Sequence, residues 1–124
     1  NTIDIFATEK EIRKRVMSIV TDSTPVEAPK DPDASSIAQL YSLVSTAEET
    51  AALRAAFAQG GMGYGDFKKQ LFERLWEFFS PMRARREEIL AQPDYIDAVL
   101  KEGAERANTV ANKVMARVRS AVGL

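Results

Sequence analysis

The sequence predicts an all-α protein, an elongated helical bundle built on a long antiparallel helix pair. Three observations carry that reading. Apolar residues recur every three or four positions along most of the chain after Thr8. Two capping boxes, Thr8-Glu9-Lys10-Glu11 and Thr46-Ala47-Glu48-Glu49, mark helix starts. Glycine and proline clusters, rather than alternating strand patterns, separate the periodic stretches.

The elements follow in chain order. Ile3 and Ile5 alternate with Thr2 and Asp4, a short extended entry. A helix from about Glu9 to Val20 places Ile12, Val16, Ile19 and Val20 on one face. Thr21-Asp22-Ser23-Thr24-Pro25 stops it, because short polar side chains compete for backbone hydrogen bonds and Pro25 disfavours helix at Thr24. Residues 25–35 carry three prolines and read as a loop. A short helix spans about Ser36 to Val44, and an alanine-rich one Ala47 to Gln59, ended by Gly60 and Gly61.

The strongest helical signal follows. Phe67, Leu71, Leu75, Phe78 and Met82 form a stripe, widened by Phe72, Trp76 and Phe79 and continued by Ile89 and Leu90. A helix from Asp66 to Ala91 is about 40 Å long at ~1.5 Å per residue, with Pro81 expected to kink or break it. Pro93 suits the first turn of the next helix. Its pattern is interrupted at Gly103 and resumes through Ala107, Val110, Ala111, Val114, Val118 and Val122. The expected pair is therefore 66–91 against 103–122, within one helical domain over 1–124.

Composition excludes several kinds of chemistry. The 124 residues contain neither histidine nor cysteine. This removes Ser-His-Asp and Cys-His mechanisms, disulfides and thiolate zinc sites. The net charge is −1, so any nucleic-acid contact needs a local basic patch rather than a global field. No apolar run is long enough to span a membrane.

Local basic positions are few. Arg83-Ala84-Arg85-Arg86 is the densest cluster, with Arg83 and Arg86 on a similar side of a helix. Guanidinium groups suit bidentate phosphate contact, but Glu87 and Glu88 also fit a solvated, mixed-charge face. Lys68 and Lys69 sit in a helix's first turn, where positive charge opposes the dipole. Either a phosphate partner or simple solvation accounts for them. Lys113, Arg117 and Arg119 complement the dipole of the last helix. Asp31 and Asp33 are too few for a fixed metal site.

Several segments, taken together, resemble one family. Val20-Thr21-Asp22-Ser23 resembles the segment that follows the KMSKS loop in bacterial-type tryptophanyl-tRNA synthetases. Gly63-Tyr64-Gly65-Asp66-Phe67-Lys68 is similar to that family's Y-G-x-x-K turn and helix start, with Lys68 at the motif lysine. Glu102-Gly103-Ala104-Glu105-Arg106-Ala107-Asn108 is similar to its E-G-A-x-x-A segment, and Ala121-Val122-Gly123-Leu124 to its usual C-terminus.

The resemblance implies a class I ligase that activates tryptophan with ATP and Mg and charges its tRNA. It places Asn1 just after the KMSKS loop, so the catalytic Rossmann domain and its cofactor site lie outside this sequence. What remains is the helical part that holds the anticodon end of tryptophan tRNA. The partners implied are that tRNA, the catalytic domain of the same chain and, in the whole enzyme, a second subunit. The location implied is cytoplasmic.

On this reading Lys68, Lys69, Arg83 and Arg86 are the candidate tRNA contacts, and Thr21, Asp22 and Ser23 support the KMSKS loop. The apolar entry at Ile3 to Phe6 packs against the catalytic domain. Composition alone also fits a structural or dimerisation bundle without nucleic-acid binding.

Overall fold

A computed structural model describes residues 2–123. Asn1 and Leu124, the two ends of the resemblance drawn above, lie outside the described residues. Six helices and no strand occur among them: α1 (Glu9–Met17), α2 (Ser36–Ser42), α3 (Ala47–Gln59), α4 (Tyr64–Phe78), α5 (Ser80–Leu90) and α6 (Pro93–Val122). The all-α reading holds. The chain divides into two compact units, Asn1–Arg83 and Ala84–Leu124.

The first unit holds the core. Both capping boxes form as the sequence implies. The Thr8 hydroxyl accepts from the Glu11 N–H while the Glu11 carboxylate accepts from the Thr8 N–H, and Thr46 and Glu49 repeat the exchange. These hydrogen bonds hold the Glu11 and Glu49 carboxyls below the ordinary carboxylate range. Ile12 and Val16 of α1, Ile37 and Ala38 of α2, Leu53 and Phe57 of α3, and Phe67, Leu71, Phe72 and Leu75 of α4 are buried together. The Phe57 and Phe67 rings lie 3.9 Å apart at 32° in its centre. Burying a side chain of this size contributes roughly 1.5–3 kcal/mol, so this cluster dominates the unit's stability. Helix α4 packs on α1 and α2, and α2 on α3.

Two expectations are corrected. Helix α1 stops at Met17, not Val20. The Ser18 hydroxyl donates to the Arg15 carbonyl at 2.7 Å, and Lys68 Nζ donates to the Met17 carbonyl at 3.2 Å. Carbonyls that a further turn would use are thereby taken.

The stretch 66–91 breaks, one of the two outcomes expected of Pro81, into two helices divided at Phe79. Pro81 has no N–H to give to the Glu77 carbonyl and its ring would strike it, so the backbone turns at Phe79 (φ −89°, ψ 0°) before α5 begins. Conversely, α6 runs unbroken for 30 residues through Gly103. One glycine costs about 1 kcal/mol inside a helix, too little to break one of this length.

The second unit contains most of α5 and all of α6. Neither helix has a buried residue. Within residues 66–91, the core of the first unit draws on α4. Val99, Leu100, Val110, Val114, Val118 and Val122 of α6 are all exposed. No helix among the described residues is long and apolar enough to cross a membrane.

Candidate nucleic-acid interface

The loop between α1 and α2 is held by an interior lysine. Three prolines in residues 25–35 deprive that stretch of backbone donors while leaving its carbonyls. Lys30 supplies the donors. Its side chain is buried, and Nζ donates to the carbonyls of Pro25 at 2.9 Å, Val26 at 3.1 Å and Ala28 at 3.0 Å. All three protons of the ammonium are thus used. Nζ also lies 5.5 Å from the centre of the Tyr64 ring, and the Lys30 N–H donates to the Phe57 carbonyl at 2.8 Å.

Gly60 makes the other side of this contact possible. Its φ is +77°, and a Cβ there would lie 2.4 Å from the Glu27 carbonyl oxygen. The next glycine, Gly61, donates its N–H to the Val26 carbonyl at 2.9 Å. The glycines are a close-packed turn against the loop.

Asp22 is the polar terminus of this assembly. Oδ1 accepts from the Thr24 N–H at 2.8 Å and Oδ2 accepts from the Tyr64 hydroxyl at 3.0 Å. Hydrogen bonds from Thr24, and then the one from Tyr64, hold the Asp22 carboxyl below the ordinary carboxylate range. Burial and the facing Asp22 push the Tyr64 hydroxyl up. A polar cleft of about 360 Å³ is lined by Thr21, Asp22, Asp31, Ser35 and Tyr64 among others. Thr21 is half-buried, while Ser23 is exposed. Of the other two acids considered in the sequence, Asp31 Oδ1 accepts from the Asp33 N–H at 2.8 Å and Asp33 pairs with Arg54 at 2.8 Å.

The basic candidates fall at separate places. Lys68 closes the C-terminal end of α1 through the Met17 carbonyl, and Lys69 pairs with Asp66 at 3.0 Å. Arg83 folds back over α4: its guanidinium carbon lies 3.6 Å from the centre of the Trp76 ring, and Nη2 donates to the Trp76 carbonyl. Its Nη1 is buried without a hydrogen-bond partner. Arg86 and Arg85 lie exposed in the second unit, Arg86 beside Glu87 at 3.2 Å and Arg85 beside Glu88 at 2.8 Å. Trp76 and Phe79 are half-buried and Phe78 is 39% exposed, so these rings border the core instead of filling it.

Comparison with known proteins shows what this chain is similar to. Over its whole length the chain is 42% identical to the tryptophan–tRNA ligase of Fusobacterium nucleatum and 44% identical to that of Rhodopirellula baltica, covering 38% and 39% of those proteins. Its structure superposes with a TM-score of 0.91 and 36% identity on the tryptophanyl-tRNA synthetase of Campylobacter jejuni solved with ADP and tryptophan, covering all of this chain and 39% of that one. The chain is a homologue of the tryptophan–tRNA ligases. No protein-family model matches it.

The chain spans between 28% and 39% of the length of the curated ligases it matches. The chemistry the arrangement does perform is positioning. Thr21–Ser23, singled out by the ligase resemblance, is anchored through Asp22 to the start of α4. Lys30 and Tyr64, which make that anchor rigid, were not singled out as site residues. The proline-rich loop was the signal that could have pointed to Lys30, since carbonyls without donors need a side-chain donor.

Proposed function

We propose that this region is the C-terminal, tRNA-binding part of a tryptophan–tRNA ligase, holding the anticodon end of tryptophan tRNA. The observation that carries the reading is the match over the entire chain, in sequence and in fold, to about two fifths of ligases of that name. In this reading the remainder of the ligase supplies the Rossmann catalytic domain, which binds ATP, Mg and tryptophan, and the whole protein works as a cytoplasmic homodimer. Lys69 and Arg86 are the candidate phosphate contacts with most exposure. Lys68 and Arg83 reach tRNA only if they exchange the Met17 and Trp76 carbonyls for phosphate. Thr21, Asp22 and Ser23 support the KMSKS loop, because the Asp22–Tyr64 hydrogen bond fixes the segment against α4.

A second reading is favoured by the exposed apolar side chains of α6, among them Leu100 and Val110. On it the region is a structural or dimerisation bundle. Fluorescence anisotropy with labelled tryptophan tRNA, an anticodon-swapped control and a salt series separates the two. Cognate-preferring binding that weakens steeply with salt is expected from anticodon-end recognition. Equal or absent binding of both tRNAs overturns it in favour of the bundle.

A further inference from the structure

A basic face on α1, bordered by the already assigned Lys68 of α4, carries cations without a carboxylate partner among the described residues. Lys10, Arg13 and Lys14 lie at i, i+3 and i+4 on α1 and are all exposed. Among the described residues none of the three has a carboxylate within ion-pairing distance. Lys10 lies in the first turn of α1 between Glu9 and Glu11, where its own charge opposes the dipole, whereas Lys14 lies in the last turn, where its charge complements it; Lys10 and Lys14 repel each other one turn apart.

Arg13 shows how this face is built. Its guanidinium carbon lies 5.5 Å from the centre of the Phe72 ring. Phe72 stacks on Trp76 at 6.4 Å and 20°, and Arg83 covers Trp76 in turn. The Arg13 guanidinium is thus placed beside a ring, and no carboxylate among the described residues pairs with it. A guanidinium placed in this way loses little freedom when it grips a phosphate. Lys68 borders the same face, joined to α1 at the Met17 carbonyl. Cations without carboxylates, set beside aromatic rings, are what a nucleic-acid backbone selects.

We infer that the α1–α4 face carrying Lys10, Arg13 and Lys14 binds the sugar-phosphate backbone of an RNA. The inference rests on the proposal that tRNA is the partner, and adds a contact surface distinct from Arg86 and Lys69. The RNA is recognised here by its phosphates, so the contact is independent of the anticodon.

The test compares wild-type protein, the Lys10→Gln/Lys14→Gln double variant, the Lys10→Arg/Lys14→Arg double variant and Lys101→Gln on α6. Each is titrated into labelled tryptophan tRNA across a salt series, with circular dichroism as a check on folding. The glutamine pair is expected to bind more weakly on both cognate and anticodon-swapped tRNA. Its slope of log affinity against log salt should shrink by about 1 per lysine. The arginine pair is expected to keep affinity and slope, and Lys101→Gln to change neither. Wild-type binding with an unchanged slope in the glutamine pair overturns the inference and leaves the proposed function standing. An equal fall in slope for Lys101→Gln also overturns it, as a general charge effect. Failure of the wild-type protein to bind any tRNA overturns both.

Discussion

The Lys30 ammonium sits 5.5 Å from the centre of the Tyr64 ring while giving its three protons to three carbonyls of its own loop. A methionine at position 30 matches the length of the chain and supplies no donor. The Ala28 carbonyl then loses its lysine donor, while Val26 keeps the Gly61 N–H and Pro25 the Ala28 N–H; an unsatisfied buried acceptor costs about 1–3 kcal/mol, less where water can enter. Lys30→Met is expected to lower the urea midpoint by an amount corresponding to about 1–3 kcal/mol. Limited proteolysis should then cut within residues 18–35. A midpoint within experimental error of wild type would show that the loop does not depend on the lysine.

The Tyr64 hydroxyl passes that order on to Asp22. Asp22 is depressed, so the sign follows directly: its contribution to stability is present above the unfolded carboxylate pKa and is lost as pH falls through the folded value. Tyr64→Phe removes one of the hydrogen bonds that cause the depression. The Asp22 pKa should therefore rise toward the ordinary carboxylate value but remain below it, because Thr24 still donates. Carbon-13 NMR titration of the side-chain carboxyl reads this. An unmoved Asp22 would mean that the Thr24 turn alone sets it.

Gly60 couples this loop to α3. At φ +77° and ψ −173° its backbone lies where glycine alone is comfortable. Alanine there also brings a methyl carbon within 2.4 Å of the Glu27 carbonyl, a backbone atom that cannot swing aside. Gly60→Ala should destabilise by about 1–3 kcal/mol or more, seen as a fall in Tm. Gly61→Ala meets no neighbour and pays only for its positive φ of 82°. A smaller loss is expected there, and the reverse order would refute the packing argument.

The features legible in the sequence are those decided within a few residues. The capping boxes at Thr8 and Thr46 and the positive φ at Gly60 all depend on neighbours in the chain. So does the period of Phe67, Leu71 and Leu75, which the structure buries as one face of α4. What was not legible depends on groups far apart. Tyr64 and Asp22 are 42 residues apart, and nothing in either segment names the other. Lys30 was not singled out because its burial exists only after α3 and α4 close over the loop. Gly103 was overread as a breaker, since the preference of a single residue was weighed without the length of the helix around it.

Arg83 shows the same gap at a candidate site. In the sequence it is one of three arginines in a basic run, and the run gives no hint that it turns back by seven residues onto Trp76. Trp76 is the chain's single tryptophan, so its fluorescence reports this contact alone. Arg83→Ala should uncover one face of the indole, raise its quenching by acrylamide and cost about 1–2 kcal/mol through the lost cation–π and carbonyl contacts. Arg83→Lys should recover only part of this, because an ammonium cannot stack flat on the ring while also reaching the Trp76 carbonyl. If tRNA draws Arg83 away from the indole, adding tRNA to wild-type protein should raise acrylamide quenching toward the Arg83→Ala level. Quenching that stays low in bound wild-type protein would place Arg83 as the clasp of the α4–α5 joint in both states.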